Sequence, residues 1–159
     1  MDRLRGVAGA TLETILKKLL LSTPKSLEEQ SAAVRTACAL ARDPRRTVGL
    51  IVVDSATLYY RLSLSGDDED DARRALSLEI AELVRTALEA HVPIVLTNQV
   101  WRNTRDGRLE PLGGSFLQHA AKTVLSFERL PGAERRAVLV KHRAVPEGSA
   151  RFRITSTDL

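Results

Sequence analysis

Residues 48–55 read VGLIVVDS, an apolar run that closes on one bare carboxylate, Asp54. A carboxylate at the end of a buried strand can hold Mg²⁺, usually through water, beside nucleotide phosphates. The same residue can instead cap a following helix. A second polar group, Thr97-Asn98-Gln99, closes the apolar run before it. It leads directly into Trp101, Arg102, Arg105 and Arg108, within residues 101–108. Three arginines and an indole suit phosphate contacts with base stacking. The alternative is a solvated polar loop whose Trp packs on its own domain. Lys141, His142 and Arg143 form a third polar group, at the end of another apolar run. His91 and His119 stand alone, and no metal-ligand spacing is present.

The elements that must carry these residues follow from hydrophobic period. Leu12, Ile15, Leu16, Leu19 and Leu20 recur at helical spacing, although residues 19–22 read equally as a short strand. Ser26 and Glu29 have capping-box spacing, which predicts a helix from there to about residue 42, ended by Asp43-Pro44. Residues 47–54 are predicted as a strand buried on both faces, because the apolar run does not alternate. An acidic run at 67–71 precedes Leu76, Ile80, Leu83, Val84 and Ala87, one face of a helix over about 71–90. Acids there favour a helix N-terminus. A second buried strand is expected at 93–97 and a long loop at 98–115. A short helix is expected at about 115–121 and strands at 122–130, 135–141 and 151–155. Pro131-Gly132 suits a type II turn, and 142–149 a loop. Strand–helix–strand order of this kind predicts a mainly parallel α/β sheet with a C-terminal antiparallel hairpin. In such sheets ligands gather at the carboxyl ends of strands, where Asp54 and Gln99 fall.

The chain has 159 residues, the size of one domain, and is 43% hydrophobic, which excludes wholesale disorder. Aromatics are only 4%, so Leu, Val, Ile and Ala must build the core, and Cys38 is expected as a small buried helix residue. No apolar run approaches the roughly 20 residues of a membrane helix. A single cysteine fits a reducing cytoplasm. Net charge is +4, and five of the 24 basic residues are Lys. That balance is compatible with an anionic partner or with a solvated basic surface.

The order LIVVDS, TNQV, PLGG, VPEG resembles the RecA-like recombinases of archaea, and most closely their RadB family. PKSLEEQ at 24–30, PLGGSFLQHAAKTV at 111–124 and KHRAVPEGSARFRIT at 141–155 extend the likeness over essentially the whole chain. The resemblance implies a RecA-like P-loop ATPase core, with residues 1–159 as one partial domain and no second one. It implies an accessory role in DNA repair and homologous recombination, with ATP and Mg²⁺ as cofactors. Asp54 would support the Mg²⁺ through water, as in a Walker B segment. Gln99 would sense the γ-phosphate and pass its state to the following DNA-facing loop, although a Gln there can also satisfy local backbone groups. Trp101, Arg102, Arg105 and Arg108 match the second DNA-facing loop. Arg61 falls in the match to the first, residues 59–71, where the acidic run repels phosphate. Lys141, His142 and Arg143 match a loop lying against a neighbouring subunit's nucleotide in filaments; outside a filament they are an exposed basic strand end. The implied partners are DNA, single-stranded in preference, the main RadA-like recombinase, and further copies of the chain.

A phosphate loop requires G-x-x-x-x-G-K-[ST], and none of the nine glycines is followed by Lys. In the family the Walker A strand and the catalytic acid precede a segment resembling DRLRGVAG. The expectation is therefore a chain that starts partway through such a protein, binds ATP weakly alone and does not hydrolyse it. Apolar strands lacking a ladder partner would make it poorly stable. Two other readings remain open: another ATPase of the RecA class, and a non-catalytic protein-interaction module.

Overall fold

The computed structural model describes residues 2–64, 69–102 and 109–155. They fall in two compact units, residues 22–120 and residues 1–21 with 121–159.

In the first unit, helix α3 (Leu27–Arg42) starts as the capping box predicts. Ser26 is extended, and its Oγ accepts from the Glu29 N–H at 3.1 Å, while Glu29 Oε2 accepts from the Lys25 N–H at 2.8 Å. Strands β1 (Ile51–Val53) and β2 (Ile94–Leu96) pair in parallel, Ile51 opposite Ile94 and Val53 opposite Leu96. Between them run a short helix α4 (Leu58–Ser63) and the long helix α5 (Glu69–Glu89). Glu69, Asp70 and Asp71 occupy the first turn of α5, where the helix dipole favours them. Asp67 and Asp68 lie outside the described residues. The buried stripe of α5 is Ala72, Leu76, Glu79, Ile80, Leu83 and Thr86. It packs with Val34 and the fully buried Cys38 of α3, and with Ile51, Tyr60, Val92 and Leu117, into one core.

Two polar links hold α3 on α5, one at the partly exposed end of the helices and one buried. Arg42 donates to Glu82 Oε1 at 2.6 Å, to Glu89 Oε2 at 2.8 Å and to Thr86 Oγ1 at 2.6 Å. Gln30 Nε2 donates to Glu79 Oε2 at 2.9 Å and to the Ala56 carbonyl at 3.1 Å, and Ser31 Oγ donates to Glu79 Oε1 at 2.5 Å. Burial raises the Glu79 carboxyl above its ordinary value; the Ser31 and Gln30 donors and nearby Arg35 pull it back only in part.

Three expectations need correction in this unit. The strand over 47–54 is three residues long and is covered on one face only. Val52 is 56% exposed, and its ladder partner Val95 48%. Ile51, Val53, Ile94 and Leu96 face the helical core, and no second layer covers the other side among the described residues. The loop over 98–115 carries an antiparallel pair, β3 (Val100–Arg102) and β4 (Leu109–Pro111). Helix α4 occupies the start of the loop expected over 59–71. Its Tyr60 is buried, and its Tyr59 hydroxyl donates to the Pro24 carbonyl. Helix α6 (Ser115–Ala120) follows the glycine pair as expected.

The second unit holds helices α1 (Asp2–Ala8) and α2 (Leu12–Lys18), joined by a 3-10 turn, and a three-stranded antiparallel sheet. Helix α1 was not anticipated, and α2 stops at Lys18 because Leu19 is extended. The sheet order is β5 (Val124–Arg129), β6 (Glu134–Lys141), β7 (Gly148–Arg153). Gly132 takes a positive φ of 67°, as the Pro-Gly turn demands. Strand β7 begins at Gly148 and ends at Arg153, shifted toward the N-terminus from the expected 151–155. No helix among the described residues is long and apolar enough to cross a membrane.

Candidate functional site

Asp54 directly follows β1 and Gln99 lies three residues past β2, at the carboxyl ends of neighbouring parallel strands. The ladder runs on past β1 and β2. The Thr97 N–H donates to the Val53 carbonyl at 3.1 Å, and the Ala56 N–H donates to the Thr97 carbonyl at 3.0 Å. Asp54 is exposed, and its Oδ1 accepts from Thr97 Oγ1 at 2.5 Å. A single exposed carboxylate bonded to the Thr97 hydroxyl offers oxygen donors only. It suits a cation that keeps most of its water, as Mg²⁺ does, and no group of three or more His, Cys, Asp or Glu that could hold a metal ion exists among the described residues.

Gln99 is half-buried. Its Oε1 is enclosed and has no hydrogen-bond partner among the described residues. Its main chain is fixed on both sides. The Gln99 N–H donates to Thr57 Oγ1 at 3.4 Å, and its carbonyl accepts from the Leu112 N–H at 2.9 Å. Asn98 is held likewise. Its Oδ1 accepts from Thr57 Oγ1 at 2.6 Å, and its Nδ2 donates to the Leu112 carbonyl at 2.9 Å. The DSAT, TNQV and PLGG stretches are therefore one hydrogen-bonded assembly.

Trp101 sits on β3 opposite Glu110, with 46% of its surface exposed. Arg102 ends that strand. Arg105 and Arg108 lie outside the described residues. Arg61 is exposed on α4, a helix rather than a loop.

Lys141, His142 and Arg143 belong to the other unit. Lys141 Nζ donates to the Ala121 carbonyl at 2.8 Å. His142 Nδ1 accepts from the Ala144 and Val145 N–H groups at 3.1 and 3.0 Å, so it shapes the turn after β6. Arg143 is exposed. Lys141 is half-buried and His142 exposed, and both bond within their own unit.

Two contributors, Thr57 and Gln30, carry no motif in the sequence, and the bond from Thr97 to Asp54 has no local signal either. Thr57 and the Thr97 hydroxyl join residues about 40 positions apart, which no local period reveals. Gln30 had a legible signal: it sits at i, i+4, i+8 with Val34 and Cys38, on the apolar face of α3.

The sequence profile described as Rad51 matches residues 8–159. The chain belongs to the Rad51 family. The Rad51 family is one of nucleotide-binding ATPases, and its RecA-like core agrees with the parallel β1–β2 pair and the antiparallel C-terminal strands. The resemblance to archaeal RadB proteins holds as well. The DNA repair and recombination protein RadB of Methanococcoides burtonii is 40% identical over 159 residues, covering 98% of this chain and 68% of that protein. The protein of the same description from Thermoplasma acidophilum is 37% identical over 131 residues, covering 82% of this chain and 56% of its own length. That from Methanoculleus marisnigri is 35% identical over 156 residues, with 98% and 68% covered. The chain therefore spans between 56% and 68% of the length of these relatives.

Proposed function

We propose that this Rad51-family chain serves DNA repair and homologous recombination as an accessory to the main RadA-like recombinase, with residues 1–159 forming part of one RecA-like ATPase core. Asp54 would hold Mg²⁺ through water, and Gln99 would sense the terminal phosphate of ATP. The Mg²⁺ would neutralise charge on the phosphates. The hairpin that begins at Val100 would bind single-stranded DNA through Trp101, Arg102, Arg105 and Arg108, with Arg61 as a further basic contact. Arg143 is the member of the 141–143 group best suited to reach an anion on a neighbouring copy, since Lys141 and His142 bond locally.

The observation that carries this reading is the junction at the strand ends. Asp54 and Gln99 belong to one hydrogen-bonded assembly, and the same assembly grips Leu112 at the base of the hairpin. The enclosed, unpartnered Gln99 Oε1 adds support. A buried acceptor without a donor costs about 1–3 kcal/mol, so no bond at Oε1 opposes turning the amide until its Nε2 donates to an arriving phosphate oxygen.

Fluorescence anisotropy of a labelled single-stranded oligonucleotide tests the reading. The chain is expected to bind with an affinity that falls as salt rises. Arg102→Ala, Arg105→Ala and Arg108→Ala together should flatten that salt dependence. A folded chain that binds no oligonucleotide at low salt would overturn it.

A further inference from the structure

Thr57 joins three stretches that are far apart in sequence. Its side chain is completely buried, and its hydroxyl is used in both directions, donating to Asn98 Oδ1 at 2.6 Å and accepting from the Gln99 N–H at 3.4 Å. Its methyl faces Gly113: a Cβ there would stand 3.6 Å from Thr57 Cγ2. Asn98 in turn spends both ends of its amide, one on Thr57 and one on the Leu112 carbonyl. Leu112 has its carbonyl held by the Asn98 side chain and its N–H held by the Gln99 carbonyl. Leu112 directly follows Pro111, the last residue of β4, which pairs with the strand bearing Trp101.

These bonds form a path from the turn after Asp54 to the far strand of the hairpin, and it bypasses the direct backbone route from Gln99 to Val100. Every donor and acceptor named along it is matched, and at the buried Thr57 no water can replace a lost partner, so displacement there must move Asn98 and Gln99 or leave a polar group unpaired.

We propose that Thr57 and Asn98 are positioning residues that set the β3–β4 hairpin against the strand-end turn carrying Asp54, so that a change at Asp54 or Gln99 reaches both strands of the hairpin together. The coupling to nucleotide and DNA rests on the function proposed above; the positioning itself does not.

The test uses the full 159-residue chain with Thr57→Val, which keeps the methyl and removes the hydroxyl, and Thr57→Ser, which does the reverse. Trp101 is the only tryptophan, so its acrylamide quenching reports the hairpin without a label. Thr57→Val should raise the exchange rate of the Leu112 amide about tenfold and increase Trp101 quenching, with far-UV circular dichroism retained. Thr57→Ser should restore both toward wild type. Equal exchange and quenching in wild type and Thr57→Val would overturn the proposal, as would a Thr57→Ser chain disturbed as much as Thr57→Val. Should Thr57→Val not fold, Asn98→Ala at an exposed position is read in the same way. Adding single-stranded DNA separates the two layers. If wild type ignores DNA while Thr57→Val still frees Leu112, the functional reading fails and the positioning role stands. If wild type responds and Thr57→Val responds identically, the proposed coupling through Thr57 fails and the functional reading stands.

Discussion

Replacing Gln30 with Leu removes a side chain that pins two elements at once. Its Nε2 donates to the Ala56 carbonyl, two residues after Asp54, and to the Glu79 carboxylate on α5. Gln30 is 4% exposed, Ala56 2% and Glu79 5%, so water cannot replace either bond. An unpaired buried carbonyl costs about 1–3 kcal/mol, and a lost bond to a charged group about 1.5–3 kcal/mol. The added apolar burial of Leu returns about 1–2 kcal/mol. The net expectation is a loss of about 2–4 kcal/mol at pH 8, or roughly 6–12 °C in Tm for a chain of this size. The loss should also depend on pH. Glu79 is raised above its ordinary 4.5 in the folded chain, so folded protein binds this proton more tightly than unfolded protein does. Its contribution to stability is thus complete below 4.5 and is lost as pH rises through the raised folded value. Gln30 holds that value down, so its removal raises the carboxyl further and deepens the loss on the alkaline side. Urea denaturation followed by circular dichroism at pH 5 and pH 8 measures both effects. A difference below about 0.5 kcal/mol, or the same difference at the two pH values, would refute the reasoning.

Three further substitutions test other parts of the structure. Gly113→Ala should destabilise by about 1–3 kcal/mol in thermal denaturation, because φ is +80° and the new Cβ would stand 3.1 Å from Leu117 Cδ1 and 3.2 Å from Leu76 Cδ2. His91→Gly should raise stability by about 0.5–1 kcal/mol in the same assay, since His91 is exposed and holds a φ of 54° just past the end of α5. Val52→Thr with Val95→Thr should increase the monodisperse fraction in light scattering at little cost in stability, because the two valines lie side by side on the uncovered face of the β1–β2 pair.

The residues of the site were legible in the sequence to the extent that they sit at the ends of apolar runs. LIVVD and the run before TNQ each announce a strand by hydrophobicity and its end by a sudden polar residue, so Asp54 and Gln99 could be placed at strand termini. Helix α5 was legible because 21 residues carry one repeated stripe. Helix α4 was not, since six residues with two tyrosines have little intrinsic helicity and are held by the burial of Tyr60 and the Tyr59 bond to Pro24. Strands β3 and β4 hid for a similar reason. Three residues cannot display a period, and Leu109–Pro111 contains Glu and Pro, which carry no strand signal. The uncovered face of β1 illustrates a different limit. An unbroken apolar run records that both faces favour burial, not what covers them. The Thr57–Asn98 bond spans 41 positions and depends on the final register of β1 against β2.

The most direct test of the central claim is the fluorescence of Trp101 during titration with single-stranded DNA at low and high salt. The account predicts a change in emission that saturates, weakens as salt rises, and disappears when Arg102, Arg105 and Arg108 are all Ala. A folded chain whose Trp101 emission stays constant across the titration would contradict it.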